Sequence, residues 1–318
     1  MKSQFTKRNF IWAVVTVAIF GVIQTLFVTN LIPNTYQVTI MTIGINVILA
    51  LGLNLIIGFT GQFSLGHAGF MSIGAYCTAI MLAKMPSLGG LFLGMLLGMA
   101  LTAVVALIVA IPTLRLRGDY LAIATLGFSE VIRIVIQNMD ITGGAAGFSG
   151  IPKLTTFPLV FIFIVMSVLV IHNFIRSSHG RACISVREDE IASESMGVNT
   201  TKYKTLAFVI GAMLASIAGS LYASYFYVLK PTTFGFMKSI DILVIVVFGG
   251  MGSLSGSILA AIILGFINLI FQNYAEVRMI LYAIAIIAIM VYRPQGLFGS
   301  KEVMDFLPKK WRKPKEVD

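Results

Sequence analysis

Charged side chains are scarce in this chain. They make up 11% of its 318 residues, while 58% are hydrophobic; an ordinary soluble domain carries about 25% charged residues. With a mean hydropathy of +0.93, the sequence has too little polar surface to cover a globule in water, so the bilayer is the solvent it is built for. Cysteine is nearly absent as well. Cys77 falls in an apolar run and Cys183 in a hydrophilic one, which excludes a disulfide framework and leaves both as small packing residues. The three histidines and two cysteines offer no full ligand set, since only His179 and Cys183 stand close, four residues apart, so neither a metal site nor a cofactor is expected. The sequence contains no Gly-Lys dipeptide, no Gly-x-Ser-x-Gly and no His-Glu-x-x-His. Those absences exclude a P-loop, a hydrolase elbow and a zinc-protease helix. If ATP drives this chain, another polypeptide binds it, and no nucleophile-and-base pair supports an intramembrane enzyme.

What the sequence has is a series of apolar runs. Lys2, Lys7 and Arg8 precede the run from Phe10 to Val28, and the absence of a small-residue cleavage site at Val28-Thr29-Asn30 marks it as an uncleaved first span. Further spans are predicted near 38–57, 67–83, 91–111, 120–137, 157–175, 205–228, 239–250, 256–273 and 279–292. The expected fold is therefore a single all-α, polytopic transmembrane bundle of about ten crossings, in contact with membrane lipid, with both termini cytoplasmic. The run at 239–250 is too short to cross alone and is expected to be broken or re-entrant. The formal charge of +10 would suit nucleic acid, but its placement does not. Seventeen of the 23 basic residues fall on the proposed inner side, including the seven in the tail from Arg293 to Lys315. Five, Lys238 among them, fall in outer loops, and Arg133 lies within a span. The positive-inside rule accounts for this pattern without nucleic acid.

Two glycine-rich stretches interrupt the apolar pattern, Gly58 to Gly69 and Phe248 to Gly256. Both contain Phe-x-Gly-x-x-Ser-Leu, once at Phe59, Gly61, Ser64 and Leu65 and again at Phe248, Gly250, Ser253 and Leu254, a sign of internal duplication. Helix breaks at membrane depth occur where the backbone is buried in protein or lines a wet cavity, and transporters use the exposed helix ends to meet charged substrate groups. Close helix contacts or simple turns would explain the same glycines. The candidate pathway residues are Asn54, Gly61, Gln62, Ser64, His67, Gly250 and Ser253, with Glu130 beside them. Glu130, Arg133 and Gln137 share one helical face at i, i+3 and i+7. A lone carboxylate at that depth is costly, so Glu130 is expected to pair with Arg133, as a structural pair or as part of gating.

The longest hydrophilic interruption is 176–204, basic at both ends and acidic at its centre. A bundle that only sits in a bilayer has no use for it, whereas one driven by a soluble partner does. Ser185-Val-Arg-Glu188 has the form of a capping box, and Gly197 with Asn199 supplies a stop, so 186–196 reads as a short helix. Ile191, Ser195 and Val198 recur at helical spacing beside Ala192 and Met196, an apolar stripe suited either to a groove of a soluble subunit or to the headgroup layer.

Five runs carry a resemblance: Gly52 to Tyr76, Leu114 to Phe128 with Glu130, Gly180 through Ala192 with Met196-Gly197, Phe248 to Gly256, and Tyr292-Arg-Pro-Gln-Gly-Leu-Phe298. In this order they resemble the permease subunits of high-affinity branched-chain amino-acid ABC importers, of the Liv M type. The resemblance implies a homologous second permease subunit, two cytoplasmic ATP-binding subunits and an extracytoplasmic amino-acid-binding protein, with no catalysis by this chain. Glu190, Ala192 and Gly197 are similar to the Glu-Ala-Ala…Gly motif of ABC coupling loops, with Ile191 in place of the first alanine and a spacing one residue longer. On this resemblance Arg187, Glu190, Ile191, Ala192, Met196 and Gly197 are the residues expected to meet the ATPase. Permeases of the same general type carry urea or short amides, and an ion-coupled transporter depending on Glu130 or Asp241 is the rival of a different class.

Overall fold

The computed structural model describes residues 7–29, 33–114, 116, 118–271 and 274, with isolated positions 280, 284, 287, 296, 297 and 299. The basic tail 300–318, and all but positions 280, 284 and 287 of the expected tenth span, lie outside the described residues.

Among the described residues the expected spans are helices. They are α1 (Lys7–Val28), α2 (Asn34–Asn54), α3 (His67–Lys84), α4 (Leu88–Thr113), α5 (Asp119–Asn138), α6 (Phe157–Arg176), α9 (Thr200–Tyr225), α10 (Phe236–Gly249) and α11 (Leu254–Ile270). Helices α7 (Ser178–Glu188) and α8 (Glu190–Ser195) form the hydrophilic insert. Strands β1 (Phe148–Ser149) and β2 (Val228–Leu229) pair antiparallel, Phe148 opposite Leu229, and tie two loops together. Five stretches are long and apolar enough to cross a membrane by length and composition: Asn34–Phe59, Leu88–Thr113, Phe157–Arg176, Thr200–Tyr225 and Pro231–Gly249. The protein is an all-α polytopic membrane bundle.

Its packing follows from having lipid outside. Helix α4 turns Gly90, Gly94, Gly98, Thr102, Ala106 and Ala110 inward, one every four residues, while Phe92, Leu93, Leu96, Leu97 and Leu101 face out. In lipid no hydrophobic force separates Leu from the acyl chains, so small residues mark the contact and large ones the exposed face. The centre of the bundle is α2 packed on α9, where a Cβ on Gly52 would lie 2.9 Å from the Gly211 carbonyl oxygen and one on Gly211 2.7 Å from that of Gly52. Gly74 of α3 similarly meets the α9 backbone at Ser216, and Gly219 of α9 the α3 backbone at Met71.

The insert differs from expectation. Residues 186–196 are two helices, parted at Asp189. Ser177 caps α7 by accepting from Gly180 N–H at 3.2 Å, and this earlier start carries the helix through Ser185, whose hydroxyl donates to the Ala182 carbonyl at 2.9 Å. Ser185 is thus interior and opens no capping box. Asp189 starts α8, its carboxylate accepting from Ala192 N–H at 3.0 Å. Gly197 stops it, with its N–H on the Glu194 carbonyl, whereas Asn199 caps α9 by accepting from Lys202 N–H at 3.0 Å. Lys202 and Lys204 belong to α9 rather than to the insert. Lys238 is also corrected: it is no loop residue but lies in the first turn of α10, which begins three residues earlier than expected.

Candidate functional site

The two glycine breaks meet. Helix α2 widens into a π-helical segment, Leu55–Phe59, and stops at Gly61, whose N–H donates to the Ile57 carbonyl while Gln62 N–H reaches the Ile56 carbonyl. This is a Schellman-like end widened by one residue. In the second copy of the repeated motif, α10 stops at Gly250 and Ser253 starts α11 by accepting from Gly256 N–H at 3.1 Å. Both motif glycines occupy positive φ, +68° at Gly61 and +113° at Gly250, a conformation L side chains rarely adopt.

Asn54 joins the breaks. It is fully buried, and its Nδ2 donates to the Ser253 carbonyl at 2.8 Å and the Ser257 hydroxyl at 2.9 Å, while its Oδ1 accepts from Gly252 N–H at 2.8 Å. The backbone groups released by one broken helix are thereby satisfied by a side chain from the other. Gly58 and Gly252 approach so closely that a Cβ on Gly58 would overlap both Asn54 Oδ1 and Gly252 N.

The insert reaches the same joint. Arg187 of α7 donates from Nη1 to the Gly58 carbonyl at 2.6 Å, in the last turn of a helix whose terminal carbonyls lack helical partners. Its stem lies on Gly61, where a Cβ would be 3.0 Å from Arg187 Cγ, and its Nη1 lies against Gly252, 3.1 Å from where a Cβ there would sit. Glu188 holds the other edge of the guanidinium. Around this contact, Gln62 Nε2 donates to the Lys204 carbonyl at 3.1 Å, and Lys204 Nζ pairs with Glu190 at 2.6 Å. Glu190 is thus a strap between α8 and α9. Facing outward on α8 and just after it are two large apolar side chains, Ile191 at 68% and Met196 at 84% exposed, together with Ala192, Glu194, Ser195 and Gly197.

The remaining residues singled out in the sequence sit elsewhere. Ser64 is buried and accepts from Gly66 N–H at 3.4 Å, and His67 begins α3 with its ring against Gly52 of α2. Glu130 is far from the joint, at the opposite end of α10. Its Oε2 pairs with Arg133 at 2.7 Å, Arg133 donates on to Gln137 at 3.0 Å, and its Oε1 accepts from Phe236 N–H at 3.1 Å, the first N–H of α10. The carboxylate thus caps a helix from outside, which is why α10 starts early. Cys183 is buried in α7, its thiol pushed up to about 11 by burial and directed at the Tyr203 carbonyl at 3.5 Å.

Near Glu130 lies a polar cluster whose members the sequence does not bring together. Lys238 Nζ donates to Asn46 Oδ1 of α2 at 2.9 Å, beside a cavity of about 240 Å³ between α2, α10 and α11. The spacing of Lys238 and Asp241, i and i+3 on one short helix, was the available signal.

Residues 34–291 match the family described as branched-chain amino acid transport system, permease component. The chain is 38% identical over 263 residues to the high-affinity branched-chain amino acid transport system permease protein LivM of Salmonella typhimurium strain LT2, covering 72% of this chain and 61% of that one. Against the LivM protein of Escherichia coli K12 it is 37% identical over 232 residues, 62% of this chain and 55% of that one. LivH of Salmonella typhimurium, a second permease protein of that name, is 29% identical over 203 residues, 63% of this chain and 65% of that one. The chain therefore spans somewhat over half the length of the LivM relatives it matches. No solved structure matches it.

Proposed function

The chain belongs to the family of permease components of branched-chain amino acid transport systems, and on that premise we propose that it is a multi-pass inner-membrane permease subunit of an ATP-driven importer for leucine, isoleucine or valine. An extracytoplasmic binding protein delivers the substrate, a homologous second permease completes the membrane unit, and cytoplasmic subunits hydrolyse the ATP. This chain moves the substrate without changing it chemically.

The observation that carries this reading is the hydrogen bond from Arg187 on the insert to the Gly58 carbonyl in the broken end of α2. It gives a soluble subunit a handle on the membrane helices. Ile191 and Met196 seat in an apolar groove of the ATPase, with acidic side chains fixing register at the rim. Glu190, held by Lys204, keeps α8 in line with α9. Displacement of α7 then acts through Arg187 on the point where Asn54 joins α2 to the turn between α10 and α11. Rigid-body rocking about that point exposes the pathway to one side and then the other.

The test is reconstitution into proteoliposomes with the partner subunits. Leucine uptake is expected to require ATP on the side of the ATPases and binding protein on the other, and Ile191→Asp should release the ATPases during purification. Uptake without ATPases that collapses with an ionophore would overturn the reading in favour of an ion-coupled carrier, and uptake of urea with none of leucine would overturn the substrate.

A further inference from the structure

The cavity between α2, α10 and α11 is organised along its length. Helices α10 and α11 are joined by a tight turn and run antiparallel, so the start of α10 lies beside the end of α11. Lys238, Asp241 and Asn268 therefore line one end of the cavity, with Asn46 of α2 opposite. Val244, Ile245 and Leu264 line the part nearer the Asn54 joint. Space with one end charged and the other aliphatic is a poor match for an ion or water alone, and about 240 Å³ is too small for a phospholipid. Ionisable groups at membrane depth face a cavity or a partner and mark substrate routes.

We propose that this cavity holds a small zwitterionic amino acid in transit, its carboxylate on Lys238, its ammonium on Asp241 and its aliphatic side chain against Val244, Ile245 and Leu264. The assignment rests on the importer reading and names the site of its substrate. An ammonium has three N–H donors, of which Asn46 takes one. The start of α10 is not itself the anion site, because Glu130 already occupies its first N–H; the cation available to a carboxylate there is Lys238. Size agrees: a cavity of about 150 Å³ holds benzene, and 240 Å³ leaves room for a branched aliphatic amino acid. The amide of Asn268 adds a donor and an acceptor at the polar end.

The test uses the full chain assembled with its partner subunits in proteoliposomes, with Cys77 and Cys183 replaced by alanine and Thr42→Cys placed on the cavity wall. Leucine at about ten times its half-protecting concentration should slow maleimide labelling about tenfold. Isocaproate, which lacks the ammonium, and isoamylamine, which lacks the carboxylate, should protect poorly. In an Asp241→Asn chain the preference for leucine over isocaproate should vanish, and in a Lys238→Met chain the preference over isoamylamine. Equal protection by all three compounds in the chain with Lys238 and Asp241 intact would overturn the proposal, since the cavity would then be merely apolar. Leucine uptake by the same vesicles without protection would overturn the site and leave the importer standing. Protection without ATP-driven uptake would support the site and overturn the importer.

Discussion

Replacing Asn54 with alanine removes three hydrogen bonds from a fully buried joint, to Ser253, Ser257 and Gly252. The three losses are unequal. The Ser253 carbonyl still accepts from the Ser257 hydroxyl and from Ser257 N–H at 3.2 Å, and Ser257 keeps that same bond. Gly252 N–H has no such second partner among the described residues, and a buried orphaned donor costs about 1–3 kcal/mol. Adding about 0.6 kcal/mol for each of the other two, the average for side-chain bonds inside membranes, gives a destabilisation of about 2–4 kcal/mol. Ser257→Ala, by contrast, leaves Asn54 Nδ2 on the Ser253 carbonyl and should cost about 0.5–1 kcal/mol. The assay is reversible unfolding in mixed micelles for both single variants and the double variant. Sharing one bond, the pair should be non-additive by about 0.5–1 kcal/mol. If Asn54→Ala cost no more than Ser257→Ala, Asn54 would not be joining the two breaks, and the route from insert to membrane helices would lose its central contact.

Arg187→Ala should leave the ATPases bound but weaken the link between hydrolysis and uptake, lowering leucine moved per ATP by about tenfold, the usual scale of a coupling energy near 1.4 kcal/mol; an unchanged ratio would refute the contact's role. Cys183, with its thiol raised to about 11, is mostly protonated at pH 8 and should alkylate roughly a hundredfold slower than an ordinary exposed cysteine. Because burial disfavours the thiolate, its rate should rise about tenfold per pH unit up to that value, and fast alkylation in the native protein at pH 8 would contradict the burial. Glu130→Gln keeps an acceptor for Phe236 N–H and should retain uptake, whereas Glu130→Ala should lose about 1 kcal/mol at the start of α10. Abolished uptake in a well-folded Glu130→Gln chain would point instead to a titrating carboxylate and an ion-coupled carrier.

The helices were legible because lipid demands long apolar runs and the breaks demand glycine, both visible in linear sequence. Phe59 to Leu65 and Phe248 to Leu254 could be read as repeats, and Glu130, Arg133 and Gln137 as one face, since each pattern spans only a few residues. The joint itself could not be read. Asn54 and its partners Gly252, Ser253 and Ser257 lie about 200 positions apart, and nothing in local periodicity pairs them. The insert misled for a different reason. Ser185-Val-Arg-Glu188 has the composition of a helix start, but Ser177 offers an earlier one and Asp189 a later one, and the backbone uses both. The apolar run alone puts the start of α10 after Lys238; the cap that starts it earlier, Glu130, comes from another helix.

The two sites share their supports. Asn46 at the cavity and Asn54 at the joint lie eight residues apart on α2, a separation of about 12 Å along the axis. Over that distance α2 is buried and flanked by α9, α10 and α11, so it transmits a tilt rather than absorbing it as local bending. The π-helical segment lies beyond Asn54, on the side of the insert, which puts the deformable part of α2 between Arg187 and the joint, not between the joint and the cavity. If the insert pulls on Gly58 as proposed, the widened turn would take up that pull first. On the importer reading proposed above, what reaches Asn54 would move α2 against the α10–α11 turn and so change the gap between Asn46 and Lys238.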